Sequence, residues 1–156
     1  MSRGPLFHEQ TARLRLGGLV DPGSFGELLP PPERITSPYL AQLGIPVSFD
    51  DGVAIGRAKI GGKKVYIAAQ VGQFVGGAVG EIHGAKLTGL FKAAARDQVP
   101  CVVIVESGGV RLHEGSAGEI AIAETMRAIF DCRAKKVTRR PRRFAMKGST
   151  LSLCKN

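Results

Sequence analysis

The order strand, strand, helix, strand, helix between residues 53 and 133 predicts an α/β domain. Three observations carry this reading. Cys101 to Glu106 places Val102, Val103, Ile104 and Val105 in one run, the pattern of a strand buried on both faces. Leu87, Leu90, Phe91 and Ala94 fall at i, i+3, i+4 and i+7, which gives a helix over Glu81 to Asp97 one apolar face. Gly61-Gly62 separates two strand-like runs, Val53 to Lys59 and Lys64 to Gln70, and reads as a hairpin turn. The strand–helix–strand crossover is expected to be parallel and right-handed.

The chain before this body is less regular. Thr11 to Leu16 has room for one helical turn. Ser24 is an N-cap candidate with Glu27 at capping-box spacing, and Pro30 to Pro32 stop any helix. Residues 30–48 read as an irregular arm with a short helix over Pro38 to Leu43. After Asp50 the core begins, and after the strand pair comes a loop with four glycines, Gly72 to Gly80. Gly84 and Gly89 are poor helix formers and suggest close approach of a neighbour. Pro100 breaks the chain before the buried strand. Ser116 is placed to cap the last helix, with Glu119 three residues on, and Ile122, Met126, Ile129 and Phe130 line its apolar face. Three regions follow: an N-terminal arm at 1–48, the α/β body at 49–133, and a basic tail at 134–156.

Charge separates the tail from the rest. Residues 1–132 hold 13 Lys+Arg and 13 Asp+Glu, whereas residues 133–156 hold 9 Lys+Arg and no acid. The body therefore offers no electrostatic case for nucleic acid, and only the tail does. The tail has no periodicity, repels itself and contains Pro141, so disorder is expected. No run approaches the roughly 20 apolar residues of a membrane span, and no secretory signal pattern opens the chain. Cys101, Cys132 and Cys154 fit neither a zinc site nor a disulfide framework, so reduced thiols and a cytoplasmic location are expected.

Five features carry possible chemistry. Ser107-Gly108-Gly109-Val110 is either an ordinary glycine turn or a set of backbone donors, with the N–H groups of Gly109 and Val110 stabilising charge on a carbonyl oxygen near a helix head. The Gly72–Gly80 loop fails both phosphate-binding glycine patterns; it suits close approach of a thioester to the helix start. His83 and His113 lack metal-binding spacing and read as surface or partly packed, with His113 beside the turn as a hydrogen-bond donor candidate. Ser107 is not in a nucleophile elbow, and no base is identifiable for it. Arg111 either pairs with Glu114 around the turn or holds an anionic substrate group.

Gly76-Gly-Ala-Val-Gly-Glu-Ile-His-Gly-Ala-Lys-Leu87 and Glu106-Ser-Gly-Gly-Val-Arg-Leu-His-Glu-Gly115 resemble the carboxyltransferase group of the crotonase (ClpP/crotonase) superfamily. Leu19 to Leu28, Ser37-Pro38, Leu43 to Pro46, Phe49 to Gly52 and Ile120 to Ala128 add to the likeness, which covers about residues 12–134 and is nearest the beta subunit of malonate decarboxylase. The resemblance implies a crotonase-like partial domain with a glycine-rich oxyanion turn. It also implies decarboxylation of a malonyl thioester to an acetyl thioester, the substrate riding on the coenzyme-A-like arm of an acyl carrier protein, with no cofactor bound directly and a gamma subunit as partner. Gly108, Gly109 and Val110 then form the catalytic turn, and Gly76, Gly77, Gly80, Arg111 and His113 are the substrate-binding candidates; no metal is implied. The beta subunit of acetyl-CoA carboxylase is the alternative within the family, although no C-x-x-C of its usual zinc ribbon occurs here. A propionyl- or methylmalonyl-type carboxyltransferase is related but normally much longer. A non-enzymatic alternative is a protein that binds anionic partners through its tail. Relatives of the resembled family continue after Ile122–Arg133 into another strand and a second glycine-rich turn. Here Lys135-Lys-Val-Thr-Arg-Arg-Pro-Arg-Arg143 follows, and the expectation is a truncated or frame-shifted product.

Overall fold

The computed structural model describes residues 11–135 and a strand at 150–154. Its centre is a five-stranded sheet in the order β1 (Gly26–Leu28), β2 (Val53–Ile60), β3 (Lys63–Gln70), β4 (Cys101–Val105) and β5 (Thr150–Cys154). β3 and β4 are parallel, as the crossover predicts, and the other neighbours are antiparallel. The α/β class read from the sequence is therefore the class observed. Most of the expected tail, 136–149 and 155–156, lies outside the described residues.

Local chemistry explains the strand pair. Gly61 and Gly62 have φ of 56° and 75°, the doubly positive pattern of a two-residue hairpin turn. Asp21 caps that turn: its carboxylate accepts from the N–H of Gly61 at 2.8 Å and of Gly62 at 2.7 Å. Ser24 does not cap a helix. Its hydroxyl accepts from Lys59 N at 3.1 Å and donates to Lys59 O at 3.3 Å, and Glu27 lies in β1 rather than in a capping box.

Two apolar layers enclose the sheet. On one face α3 (Glu81–Asp97) brings Leu87, Leu90, Phe91 and Ala94 onto Val53, Ile55, Tyr66, Ala68, Cys101 and Val103. Full burial of a side chain such as Leu90 or Phe91 contributes about 1.5–3 kcal/mol. On the other face α1 (Ala12–Leu19) brings Ala12 and Leu16 onto Ala54, Val65, Ile67 and Ile104. The packed core thus reaches forward of Asp50 into residues read as arm. Thr11 caps α1, its hydroxyl accepting from Leu14 N at 3.4 Å, and the helix runs past the single turn expected. A second short helix, α2 (Pro38–Gln42), falls within the predicted 38–43.

α4 (Ser116–Ala134) packs on α3 through Gly118, Ala121, Thr125, Ala128 and Cys132. These small residues let the helices approach closely. The apolar face expected for α4 is corrected: Met126 is 52% and Phe130 60% exposed, and Ile122 and Ile129 are only partly covered. Small residues, which carry little periodic signal, make the contact instead. The N-cap is Gly115 with φ of 52°, not Ser116, which is the first helical residue. A Cβ added at Gly84 would sit 2.7 Å from Ala121 Cβ and 3.0 Å from Ala121 O. Gly84→Ala must therefore part the two helices, at an expected cost of about 1–3 kcal/mol. Urea unfolding followed by circular dichroism measures this, and an unchanged midpoint refutes the tight contact.

Candidate active site

Both glycine-rich segments emerge at the C-terminal ends of the parallel pair β3 and β4. The loop after β3 folds as a left-handed turn, with φ of 49° at Val75, 61° at Gly76 and 71° at Gly77. A β-branched residue there is strained, by about 1–3 kcal/mol, and such strain persists only where surroundings enforce it. The enforcing contact is backbone on backbone. A Cβ on Gly77 would lie 2.0 Å from Glu106 O, and one on Gly108 would lie 2.6 Å from Gly76 O. Val79 bridges Val110 in parallel fashion: Val79 N donates to Gly109 O at 2.8 Å, and Arg111 N donates to Val79 O at 2.9 Å.

This bridge sets which donors stay open. Val79 uses the groups on either side of Val110, so Val110's own N–H faces away from the loop. Among the described residues, the N–H groups of Gly108 and Val110 have no hydrogen-bond partner. Gly109 N–H donates to its neighbour Ser107 Oγ at 3.2 Å, an exposed contact. Gly118 in the first turn of α4 lies against Val110, where an added Cβ would meet Val110 Cγ1 at 3.2 Å. The head of α4 and its positive dipole end thus stand beside the open donors.

Below the shelf lies a buried polar cluster. Arg111 Nη1 pairs with Asp51 Oδ2 at 3.0 Å and Glu114 Oε1 at 2.7 Å, all three side chains fully buried. Arg111 Nη2 donates to Ala78 O at 3.2 Å and to Asp51 O at 3.3 Å. The two carboxylates also cap α3: Glu81 N donates to Glu114 Oε2 at 2.5 Å and His83 N to Asp51 Oδ2 at 3.0 Å. One guanidinium faces two carboxylates, and the helix N-terminus offsets the excess negative charge. Asp51 Oδ1 accepts from Thr36 Oγ1 and Ser37 N, both at 3.1 Å, so the arm is held by the same residue.

A second network grips the end of β4. Gln70 Oε1 accepts from Glu106 N at 2.9 Å, and Gln70 Nε2 lies 3.0 Å from His83 Nε2. With its oxygen so engaged, Gln70 donates to His83 through its amide, leaving the ring proton on Nδ1. Arg15 Nη2 reaches Gln70 O and Glu106 Oε2, each at 2.6 Å. His83 is fully buried, a correction to its reading as a surface or partly packed residue. Burial, aided by the charges of Arg111 and Lys86, pushes its pKa down to about 3. Between that value and the unfolded value near 6.5 the unfolded chain binds the extra proton. The stability this histidine contributes is therefore complete above pH about 6.5 and declines as pH falls, by at most about 1.4 kcal/mol per unit. Unfolding free energies at pH 7 and pH 5 should show the decline, and His83→Gln should flatten it; an identical slope in the variant refutes the assignment.

The structure divides the sequence-predicted residues into two groups. Gly76, Gly108, Gly109 and His113 are exposed and Val110 is partly so, all around the shelf, though His113 makes no hydrogen bond to the turn among the described residues. Gly77, Gly80 and Arg111 are buried. Gly80 is tight because a Cβ would meet Arg111 Nη1 and Glu114 Oε1 at 2.5 Å. All three pack the shelf from within, and Arg111 makes the pairing with Glu114 that the sequence allowed. Sequence reading missed Asp51, Gln70, Glu106 and Arg15 as its supports.

The chain matches the carboxyl transferase domain family over residues 8–131 and belongs to that family. Among its relatives is the malonyl-S-ACP:biotin-protein carboxyltransferase MADC of Malonomonas rubra, 40% identical over 144 residues, which cover 83% of this chain and 45% of that protein. The acetyl-coenzyme A carboxylase carboxyl transferase subunit beta of Opitutus terrae is 34% identical over 133 residues, covering 76% of this chain and 44% of that subunit. Among solved structures, a Pseudomonas malonate decarboxylase hetero-tetramer in complex with malonate superposes with a TM-score of 0.79 and 42% identity, over 85% of this chain and 50% of that one. The crotonase-like fold and the likeness to malonate decarboxylase read from the sequence are thus borne out, and these relatives are enzymes. The chain spans about half the length of the curated relatives it matches. Among the described residues no helix is long and apolar enough to cross a membrane.

Proposed function

We propose that this chain is a malonyl-thioester decarboxylase subunit that acts by stabilising an enolate at the Gly108–Val110 turn. The observation that carries the reading is the Val110 N–H, which has no partner among the described residues and stands beside the head of α4 while its neighbours' backbone groups are consumed. Loss of carbon dioxide from the malonyl group leaves two electrons on the α-carbon, delocalised onto the thioester oxygen. That oxygen needs donors fixed in place as its charge grows. Val110 N–H and Gly109 N–H, once Ser107 Oγ yields it, supply them. A proton then adds to the α-carbon and gives the acetyl thioester. No metal or cofactor enters this scheme. The substrate rides on the prosthetic arm of an acyl carrier protein, and a gamma subunit completes the working enzyme in the cytoplasm.

The relatives named as carboxyl transferases favour one second reading, in which the carboxyl group passes to or from biotin rather than leaving as carbon dioxide. The chain, alone and with a malonate decarboxylase gamma subunit, is incubated with malonyl-coenzyme A, with and without free biotin. Carbon dioxide and acetyl-coenzyme A in equal amounts without biotin are expected. Turnover that requires biotin selects the second reading, and no turnover in any combination defeats both.

A further inference from the structure

The hairpin end of the sheet carries charge that the turn does not use. Between Gly52 and Gly80 the sequence holds Arg57, Lys59, Lys63 and Lys64 and no acid, although residues 1–132 balance overall. The β2–β3 register sets Arg57 opposite Tyr66 and Lys59 opposite Lys64. Directly opposed residues share a face, and Tyr66 belongs to the α3 side of the core. α3 ends at Asp97, and beyond it Arg57, Lys59 and Lys64 are exposed among the described residues. A cavity of about 430 Å³ opens there, its lining including Ser24, Arg57, Lys59, Lys64, Tyr66 and Asp97.

Counter-charge at this corner is limited to Asp97 and to Asp21 at the hairpin turn, and both carboxylates are engaged by other donors. Among the described residues, Arg57, Lys59 and Lys64 have no ion pair with an acid. The one carboxylate in the lining, Asp97, is already engaged by Arg96 Nε at 2.6 Å and by the Tyr66 hydroxyl at 2.5 Å. Arg57 rests over the Tyr66 ring at 5.3 Å, which holds its guanidinium at the cavity wall. Two lysines set directly opposite repel one another.

We propose that this corner binds a phosphate-bearing small molecule. Phosphate oxygens suit the guanidinium fork of Arg57, and the two ammonium groups add point charges on either side. The volume lies within the roughly 300–1,000 Å³ of small-molecule sites. The cavity lies at the start of β3, whereas the glycine-rich loop follows its end, so this site is separate from the Gly108–Val110 turn.

Residues 133–156 carry nine further cations, so the test is resolved by residue. The full chain, labelled with nitrogen-15, is titrated with inorganic pyrophosphate at low ionic strength. Saturable amide shifts at Arg57, Lys59, Lys64 and Tyr66 are expected. Lys59→Gln/Lys64→Gln should weaken that binding about tenfold or more as two charge-assisted contacts are lost. The double variant should melt no lower than the parent without ligand, because repulsion has been removed. Replacing pyrophosphate by a nucleoside diphosphate separates the sources: tighter binding means the nucleoside also fits, and equal binding means phosphate alone is recognised. No saturable shift at these amides overturns the site, as does equal affinity in the double variant. Response to anionic lipid vesicles or RNA with none to pyrophosphate also overturns it.

Discussion

Arg111→Met should cost the fold about 3–5 kcal/mol, the range for removing one partner of a buried charge cluster. The change leaves the fully buried Asp51 and Glu114 carboxylates without the guanidinium that pairs with both. It also frees the Ala78 carbonyl, which holds the loop to the turn. Since domains are stable by only about 5–15 kcal/mol, such a loss is a large part of the total. Urea unfolding measures it, and a loss below about 1 kcal/mol would show that the cluster is not a tie. Adding Glu114→Gln should recover part of the loss, because one of the two unopposed carboxylates is then neutral. Arg111→Lys keeps the charge but not the fork, so it should fall between the parent and Arg111→Met.

The contrast between Arg111 and Val110 shows what the sequence can and cannot disclose. Strands and helices were legible because their signals are local. Unbroken apolar, β-branched-rich runs mark β3 and β4, and i, i+3, i+4 spacing marks α3. The glycine pair at 61–62 announced its own turn. The turn at 107–110 was legible as a place where bare backbone meets a ligand, because two adjacent glycines permit it. Arg111 was left with two readings, since nothing local says whether a guanidinium points inward. Its partner Asp51 is 60 residues away. The same distance problem hid Arg15, which meets Gln70 O across 55 residues. The docking face of α4 was misplaced for a different reason: Gly118, Ala121 and Ala128 bury by closeness rather than by size, so the larger Met126 and Phe130 drew the periodicity outward. Glycine at 77 illustrates both sides. Composition showed a loop, but only the carbonyl of Glu106 lying 2.0 Å from an added Cβ shows why no other residue fits.

Gly109→Pro should leave the strands and helices in place and lower turnover by about 100-fold or more, the effect of losing one preorganised donor. Gly109 sits at φ of 114°, a value proline cannot adopt because its ring fixes φ near −65°. The substitution removes one N–H and turns the peptide that carries the next one, at Val110. Malonyl-coenzyme A decarboxylation by the chain with its gamma subunit is the readout, with circular dichroism as the check on folding. KM should change far less than kcat, because the donors matter most when the oxygen carries charge. Ser107→Ala gives the opposite control. It removes the hydroxyl that accepts from Gly109 N–H at 3.2 Å and leaves that donor free. Turnover in this variant should stay at the parental level or rise. A folded Gly109→Pro protein with parental kcat would remove the turn from the chemistry, and a large fall in Ser107→Ala would assign the serine hydroxyl a direct part in it.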